Sequence, residues 1–100
     1  YVDGVCRLLD PSVGNAYYYL LSDVAQIVGA GDHASGDVAD CKTVGVEAVD
    51  ERTLEFTLKE AASFFPKIMA FHSFLPARLD LISAHPDTWT GSENFVGNGP

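Results

Sequence analysis

The sequence predicts an α+β fold in which an antiparallel β-hairpin, or small sheet, is packed by several short helices. The hairpin is predicted from residues 44–59, where apolar and polar side chains alternate with the period of a half-buried strand. The helices are predicted from apolar residues that recur every three or four positions on either side of this stretch. A length of 100 residues fits one domain, so we treat residues 1–100 as a single α+β subdomain.

The composition excludes some classes of partner. With 47% hydrophobic residues a core is available, while 6 basic and 14 acidic residues give a net charge of −8. Nucleic acids and anionic membranes require clustered Lys or Arg, so neither is expected as a partner. No apolar run approaches the length of about 20 residues that a membrane-spanning helix needs. Both ends lack a terminal signature, and we expect the chain to be a piece of a longer protein.

Two helices are predicted before the hairpin. The first covers residues 2–9 and ends at Asp10-Pro11, because proline disfavours the helical conformation of the residue before it. The second covers about residues 15–28, and Gly29 and Gly31 are expected to end it in a left-handed conformation. Its apolar stripe consists of Tyr17, Leu20, Leu21, Val24, Ile27 and Val28.

A polar stretch separates these helices from the hairpin. Residues 32–42 are predicted to form a surface loop, with one helical turn at residues 38–41. In the hairpin, a charged corner at residues 50–52 separates the two alternating runs. The residues predicted on its dry face are Val44, Val46, Ala48, Leu54, Phe56 and Leu58.

The second half of the chain predicts two further short helices. Ser63 is the expected N-cap of a helix over residues 64–71, and Pro66 then lies in its first turn. Pro76 is the expected first residue of the next helix, which ends at His85-Pro86. The tail has no period and is expected to be a loop that leads to an extended segment. The side chains predicted to cover the hairpin are Phe64, Phe65, Ile68 and Met69.

Cys6 and Cys41 are the only cysteines. Their spacing has no CxxC character, so metal and thioredoxin-like sites are poorly supported. The sequence favours two buried free thiols and leaves a disulfide open, because it does not give the distance between their Cα atoms.

Motifs that carry chemistry are not found, and the sequence does not predict an enzyme. His33, His72 and His85 lack the spacing that places two ligands on one helical face, so neither a metal nor another cofactor is predicted. No GxSxG elbow occurs, and residues 97–100 lack the pattern of a phosphate loop. The consecutive tyrosines 17–19 point in different directions from a helix, so at least one hydroxyl should meet water or a ligand.

The order of several motifs resembles the extracellular solute-binding proteins of family 5, the oligopeptide and dipeptide type of ABC transporters. The first motif is Arg7-Leu-Leu-Asp-Pro11, which is followed by the tyrosine-bearing segment. The hairpin, the Phe64-Phe65 pair, Pro76, Trp89 and the final Asn94-Phe-Val-Gly-Asn-Gly-Pro100 then follow in the family's order. The resemblance covers nearly the whole chain.

This resemblance implies a subdomain, about a fifth, of a two-lobed receptor. Such receptors are exported to the periplasm or the cell surface, often as lipoproteins, and close on a peptide ligand before passing it to a permease. They are not enzymes. The alternatives are a receptor of the same fold for nickel, haem or a sugar, and a module that only binds another protein.

The resemblance also implies three ligand-binding residues. Tyr17 matches a tyrosine whose hydroxyl can reach the amino terminus of a bound peptide. Phe71 and His72 match the place where family members can touch a ligand side chain. Residues 97–100 match the return into the first lobe. Pro66 and the two cysteines depart from the family's pattern.

Overall fold

The computed structural model describes residues 1–97, and it confirms the predicted α+β class with a two-stranded antiparallel sheet. The α-helices are α1 (Val2–Leu9), α2 (Ala30–Ala34), α3 (Phe65–Met69) and α4 (Leu79–Ala84). The strands are β1 (Val46–Asp50) and β2 (Thr53–Phe56). A π-helix covers Leu20–Val24, and 3₁₀ helices cover Cys41–Thr43 and His72–Phe74. The part of the final motif in residues 98–100 lies outside the described residues.

The predicted hairpin is present, with a shorter paired region than the alternation suggested. Val46 lies opposite Phe56 and Ala48 opposite Leu54. The register then shifts between Ala48 and Asp50, where a bulge leads into the turn. Val46 is buried and Phe56 half-buried, whereas Ala48 is exposed because it lies close to the tip. The dry face is therefore limited to the base of the hairpin.

A third segment closes this base. Ile27 forms an antiparallel bridge with Leu58, and the Val28 amide donates to the Thr57 carbonyl at 3.0 Å. The Gly45 amide donates to the Val28 carbonyl at 2.7 Å. Residues 27 and 28 thus add a short strand-like edge to the hairpin.

This pairing explains why the predicted helix over residues 15–28 is wrong. The helical part is the π-helix Leu20–Val24, and Gln26 adopts a positive φ of 54°. That conformation breaks the helix and turns the backbone so that Ile27 can pair with Leu58. The non-local bridge replaces the last helical turn that the apolar stripe suggested.

The segment after this break also differs from the prediction. Gly29 does adopt the expected left-handed conformation, with φ 72°, but it begins α2 instead of ending a helix. Gly31 lies inside α2, so the first residues of the predicted loop are helical. The predicted turn at residues 38–41 is displaced to the 3₁₀ helix Cys41–Thr43.

Cys6 and Cys41 form a disulfide with a Cα–Cα distance of 5.8 Å, so the favoured prediction of free thiols is wrong. The bridge spans 35 positions of sequence. In the chain-entropy model, a loop of this size stabilises the folded state by about 4 kcal/mol. The disulfide ties α1 to the 3₁₀ helix Cys41–Thr43.

The helices after the hairpin begin later than predicted. Phe64, not Ser63, is the N-cap of α3, while Pro66 does lie in the first turn. Phe65 packs its ring edge-on against Phe56 with centroids 5.1 Å apart, whereas Phe64 is exposed. Pro76 lies before α4, whose N-cap is Arg78, because the chain stays irregular over residues 76–78.

The core lies where α1 meets the hairpin base, α2 and the second 3₁₀ helix, and the π-helix packs against α2. The apolar face of α1 is buried in this core, and its three buried residues recur at helical spacing. Leu21 and Ile27 are completely shielded from solvent. The buried apolar residues are Val5, Leu8, Leu9, Leu21, Ala25, Ile27, Ala30, Val44, Val46 and Phe74.

Candidate functional site

The structure brings together the three residues that the family resemblance implies for ligand contact. The Tyr17 ring meets the Phe71 ring edge-on with centroids 5.1 Å apart, and it meets the His72 ring in the same manner at 5.8 Å. The rings of Phe71 and His72 lie 4.2 Å apart at a tilt of 45°. The two edge-on contacts of Tyr17 have the geometry that the charge distribution of aromatic rings favours. We call Tyr17, Phe71 and His72 the aromatic corner.

Local hydrogen bonds fix the backbone beneath Tyr17. The Asn15 side chain accepts from the Tyr17 amide at 2.9 Å, which forms a turn before the π-helix. The Tyr17 carbonyl accepts from the Leu20 amide at 3.1 Å. This turn leaves the Tyr17 side chain 40% exposed at the rim of the core.

The other half of the aromatic corner follows α3. The Phe71 amide donates to the Ile68 carbonyl at 2.9 Å, so the end of α3 sets its position. The Phe74 amide then donates to the Phe71 carbonyl at 3.0 Å, and the Phe74 side chain is buried in the core. Phe74 therefore anchors the 3₁₀ turn that presents the exposed His72 ring.

The corner combines an apolar wall with a polar group at its rim. Among residues 1–97, none of the hydrogen bonds found uses the Tyr17 hydroxyl. That hydroxyl can both donate and accept, and the imidazole of His72 offers a further polar edge. The arrangement can hold a ligand by ring contacts and hydrogen bonds, without covalent chemistry.

A groove of about 740 Å³ begins beside His72 and was not predicted from the sequence. Its walls are mostly apolar, and Arg7 and Arg78 add positive charge. The Arg7 guanidinium lies over the Trp89 ring at 5.9 Å from the centroid. The groove joins α1 to residues 72–97, so no local pattern could have indicated it. The other apolar residues that line it are Leu8, Leu75, Pro76, Ala77, Leu81, Ile82, Phe95 and Val96.

Arg78 is engaged by a local ion pair. Its guanidinium donates to both carboxylate oxygens of Asp80, at 2.9 and 2.6 Å. These hydrogen bonds raise the pKa of Arg78 and lower the pKa of Asp80 below its usual value. Both side chains are exposed, so this pair contributes little to stability.

The described part of the chain has neither a cluster of metal ligands nor a membrane-spanning helix. Among residues 1–97, no three His, Cys, Asp or Glu side chains are grouped as a metal site would require. The helices in the same part of the chain are too short and too polar for any of them to cross a membrane.

Curated proteins with similar sequences are solute-binding proteins. The chain is 34% identical over 99 residues to the probable deoxycholate-binding periplasmic protein YgiS of Escherichia coli, and covers 18% of that protein. It is 32% identical over 97 residues to the periplasmic oligopeptide-binding protein OppA of Salmonella typhimurium, and covers 17% of it. No protein-family model matches the chain.

Solved structures of the same type superpose on nearly the whole chain. OppA of Burkholderia pseudomallei matches 99% of the chain with a TM-score of 0.89 and 30% identity. OppA of Haemophilus influenzae, in complex with RPPGFSPFR, matches 98% with the same TM-score and 30% identity. The chain covers 19% of each of these structures.

The likeness in sequence and in structure extends over the same residues. It includes the hairpin, the helices around it and the segments that carry the aromatic corner, because the alignments cover 98% of the chain or more in several structures. The chain spans about a fifth of the length of these relatives. It therefore corresponds to one segment of the solute-binding proteins of the oligopeptide-binding type, the family that its motifs resemble.

Proposed function

We propose that this chain is one α+β subdomain, over residues 1–100, of a receptor that captures extracellular peptides for import by an ABC transporter. Its contribution is non-covalent, and it carries out no catalysis. The observation that carries this proposal is the alignment of nearly the whole chain with peptide-bound OppA structures from Haemophilus influenzae and Listeria monocytogenes.

The aromatic corner is the part of the chain that we propose to contact the peptide. The Tyr17 hydroxyl would bond the amino-terminal end of the peptide, where a phenol can accept from an ammonium group. Phe71 and His72 would line the neighbouring position and contact a peptide side chain. Most contacts would come from the rest of the receptor, whose lobes close and exclude water from the peptide's hydrogen bonds.

Two observations support a location outside the cytoplasm. Several relatives are named as periplasmic proteins. The Cys6–Cys41 disulfide forms and persists in an oxidising compartment, such as the periplasm or the cell surface. Delivery of the ligand would then require a permease as the partner of the full-length receptor.

A second candidate ligand is an amphipathic carboxylate such as a bile acid. It is favoured by the relative named as probably deoxycholate-binding, to which the chain is 34% identical. The groove beside His72 offers apolar walls for a steroid body, and the Arg7 guanidinium could pair with a carboxylate. This candidate uses the groove instead of the corner alone.

Calorimetric titration of the full-length receptor tests both candidates. The panel contains di- to octapeptides, single amino acids, deoxycholate, nickel and haem. We expect at least one peptide to bind with a dissociation constant in the micromolar range or lower, as closure around a peptide should provide. Binding of deoxycholate without any peptide would replace the first candidate by the second. Binding of nickel or haem alone would overturn both.

A further inference from the structure

The aromatic corner is made by two parts of the chain that lie more than 50 positions apart in sequence, so tertiary links decide its geometry. Tyr17 comes from the turn before the π-helix, while Phe71 and His72 come from the segment after α3. The ring contacts between them are weak individually, on the order of 1 kcal/mol for each pair. Other connections must hold the two parts in register.

Cys6, at one end of the disulfide, is connected by packing to the part of the aromatic corner that contains Phe71 and His72. Cys6 lies in α1, which packs against the 3₁₀ helix His72–Phe74. Phe74 is buried in the same core cluster as the apolar residues of α1. A displacement of α1 would therefore displace the turn that presents His72.

Cys41, at the other end of the disulfide, is connected by packing and hydrogen bonds to the part of the aromatic corner that contains Tyr17. Cys41 begins the 3₁₀ helix whose last residue, Thr43, lies directly against Gly29. The chain before Gly29 returns to the π-helix, where the Ile27 amide donates to the Leu21 carbonyl at 3.0 Å. The π-helix in turn follows the Tyr17 turn.

We propose that the Cys6–Cys41 disulfide is a redox-responsive link that keeps the two halves of the aromatic corner in contact. Both cysteines are partly exposed, so a small dithiol can reach the bond. The dithiol attacks one sulfur, forms a mixed disulfide and closes to its own cyclic disulfide. The two electrons and two protons that it gives up convert Cys6 and Cys41 to thiols.

The hairpin should respond less to reduction than the aromatic corner. Its ladder is made of hydrogen bonds between neighbouring strands, and Phe65 covers one side of it. The disulfide belongs to neither feature, although α1, which carries Cys6, packs against β1 as well as against the 3₁₀ helix His72–Phe74. Reduction should therefore loosen the corner first, as a local opening within a folded chain.

Nuclear magnetic resonance on the isotopically labelled chain tests this order. The two readouts are the cross-relaxation between the Tyr17 and Phe71 rings and the same signal between Glu47 and Glu55 across the ladder. After reduction with dithiothreitol, we expect the ring signal to fall by about half or more while the ladder signal persists, as local opening requires. The double variant Cys6→Ser, Cys41→Ser should reproduce this pattern without a reductant.

The matched control is Val46→Ala, which weakens the core and leaves the disulfide intact. The control is measured at a temperature at which its folded fraction equals that of the reduced chain. Under this condition the control should keep the cross-relaxation between the Tyr17 and Phe71 rings. Equal ring signals in the oxidised and reduced chains would overturn the proposal. So would loss of both signals at the same concentration of reductant, because that outcome is global unfolding. No ligand enters the measurement, so its result is independent of the proposed peptide binding.

Discussion

Tyr17 is placed so that its ring and its hydroxyl have different surroundings. The ring edge is held against Phe71 and His72, whereas much of the side chain remains exposed. The next two tyrosines are exposed to a similar extent, at 44% and 43%. Tyr17 therefore differs from the next two tyrosines in its ring contacts and not in its exposure.

Replacement of Tyr17 by Phe in the proposed full-length receptor removes the hydroxyl and keeps the ring contacts. We expect peptide affinity to fall by about threefold to tenfold, the effect of one lost hydrogen bond. Calorimetric titration with the tightest-binding peptide of the panel measures the change. Tyr19→Phe is the matched control and should leave the affinity unaltered. If both variants bind as tightly as the original protein, the Tyr17 hydroxyl has no role in binding.

Asp50 links pH to the stability of the hairpin. Its carboxylate accepts from the Arg52 amide and the Thr53 hydroxyl, both at 2.8 Å, and these hydrogen bonds lower its pKa. Because the pKa is lower in the folded state, the contribution is fully present above the unfolded-state pKa and is lost as pH falls through the folded-state pKa.

Replacement of Asp50 by Asn should therefore lower the melting temperature by a few degrees at neutral pH and by less at pH 3. Circular dichroism at the two pH values measures the difference. Glu51→Gln, one residue further along the same turn, is the control, since no hydrogen bond of its side chain is found among residues 1–97. An equal loss at both pH values for Asp50→Asn would contradict the linkage.

At the level of elements, the turn at Gly29 connects the hairpin base to α2. Its φ of 72° is unfavourable for residues with a side chain, and an added Cβ would collide with the Thr43 carbonyl. Gly31, two residues later, has open space around its Cα. The backbone therefore requires glycine at position 29 but not at position 31.

Gly29→Ala should reduce the free energy of unfolding by about 2 kcal/mol or more, because conformational strain and the collision add. Gly31→Ala should leave it unchanged or raise it by up to about 1 kcal/mol, since alanine favours a helix. Urea unfolding of both variants measures these changes. Equal effects in the two variants would show that the backbone at Gly29 can relax.

The elements that sequence predicted well depend on local patterns. The hairpin follows from alternation between neighbours, and α1 follows from a stripe that Asp10-Pro11 ends. The predicted helix over residues 15–28 failed because Ile27 pairs with Leu58, and helical spacing contains no information on that partner. The sequence favoured free thiols over the disulfide, which it left open, for the same reason: two cysteines that are distant in sequence give no Cα–Cα distance.

The candidate site also combines residues that could be predicted with long-range contacts that could not. Its three residues were nominated by resemblance to a family, while nothing in the pattern around Tyr17 indicated that Phe71 and His72 would lie beside it. The groove was not predicted because its lining comes from α1, from Asn15 and from residues 72–97, which share no period. The sequence alone did not predict the contacts between residues that are far apart in the chain.

At the level of the whole molecule, three of the five most exposed large hydrophobic side chains among residues 1–97 line the groove. Leu75 is 67% exposed, Phe95 60% and Val96 54%, and all three line it. Contiguous apolar surface of this kind promotes association in water. The chain spans only about a fifth of its relatives.

The 100-residue chain should therefore self-associate as its concentration rises. Sedimentation velocity should show a growing dimer fraction, and Leu75→Ser should reduce that fraction because it removes the most exposed apolar group. Val49→Ser, at an exposed apolar position of β1 outside the groove, is the control. A monomer at every concentration, or equal effects of the two variants, would exclude the groove as the contact.

The position of the disulfide along the chain also determines the order in which the fold can be assembled. Cys41 precedes both strands of the hairpin, so both sulfurs leave the ribosome or a translocation channel before Val46 does. The covalent loop can close while β1 and β2 are still unmade. α1 and the segment up to Thr43 would then form a preassembled platform on which the hairpin folds.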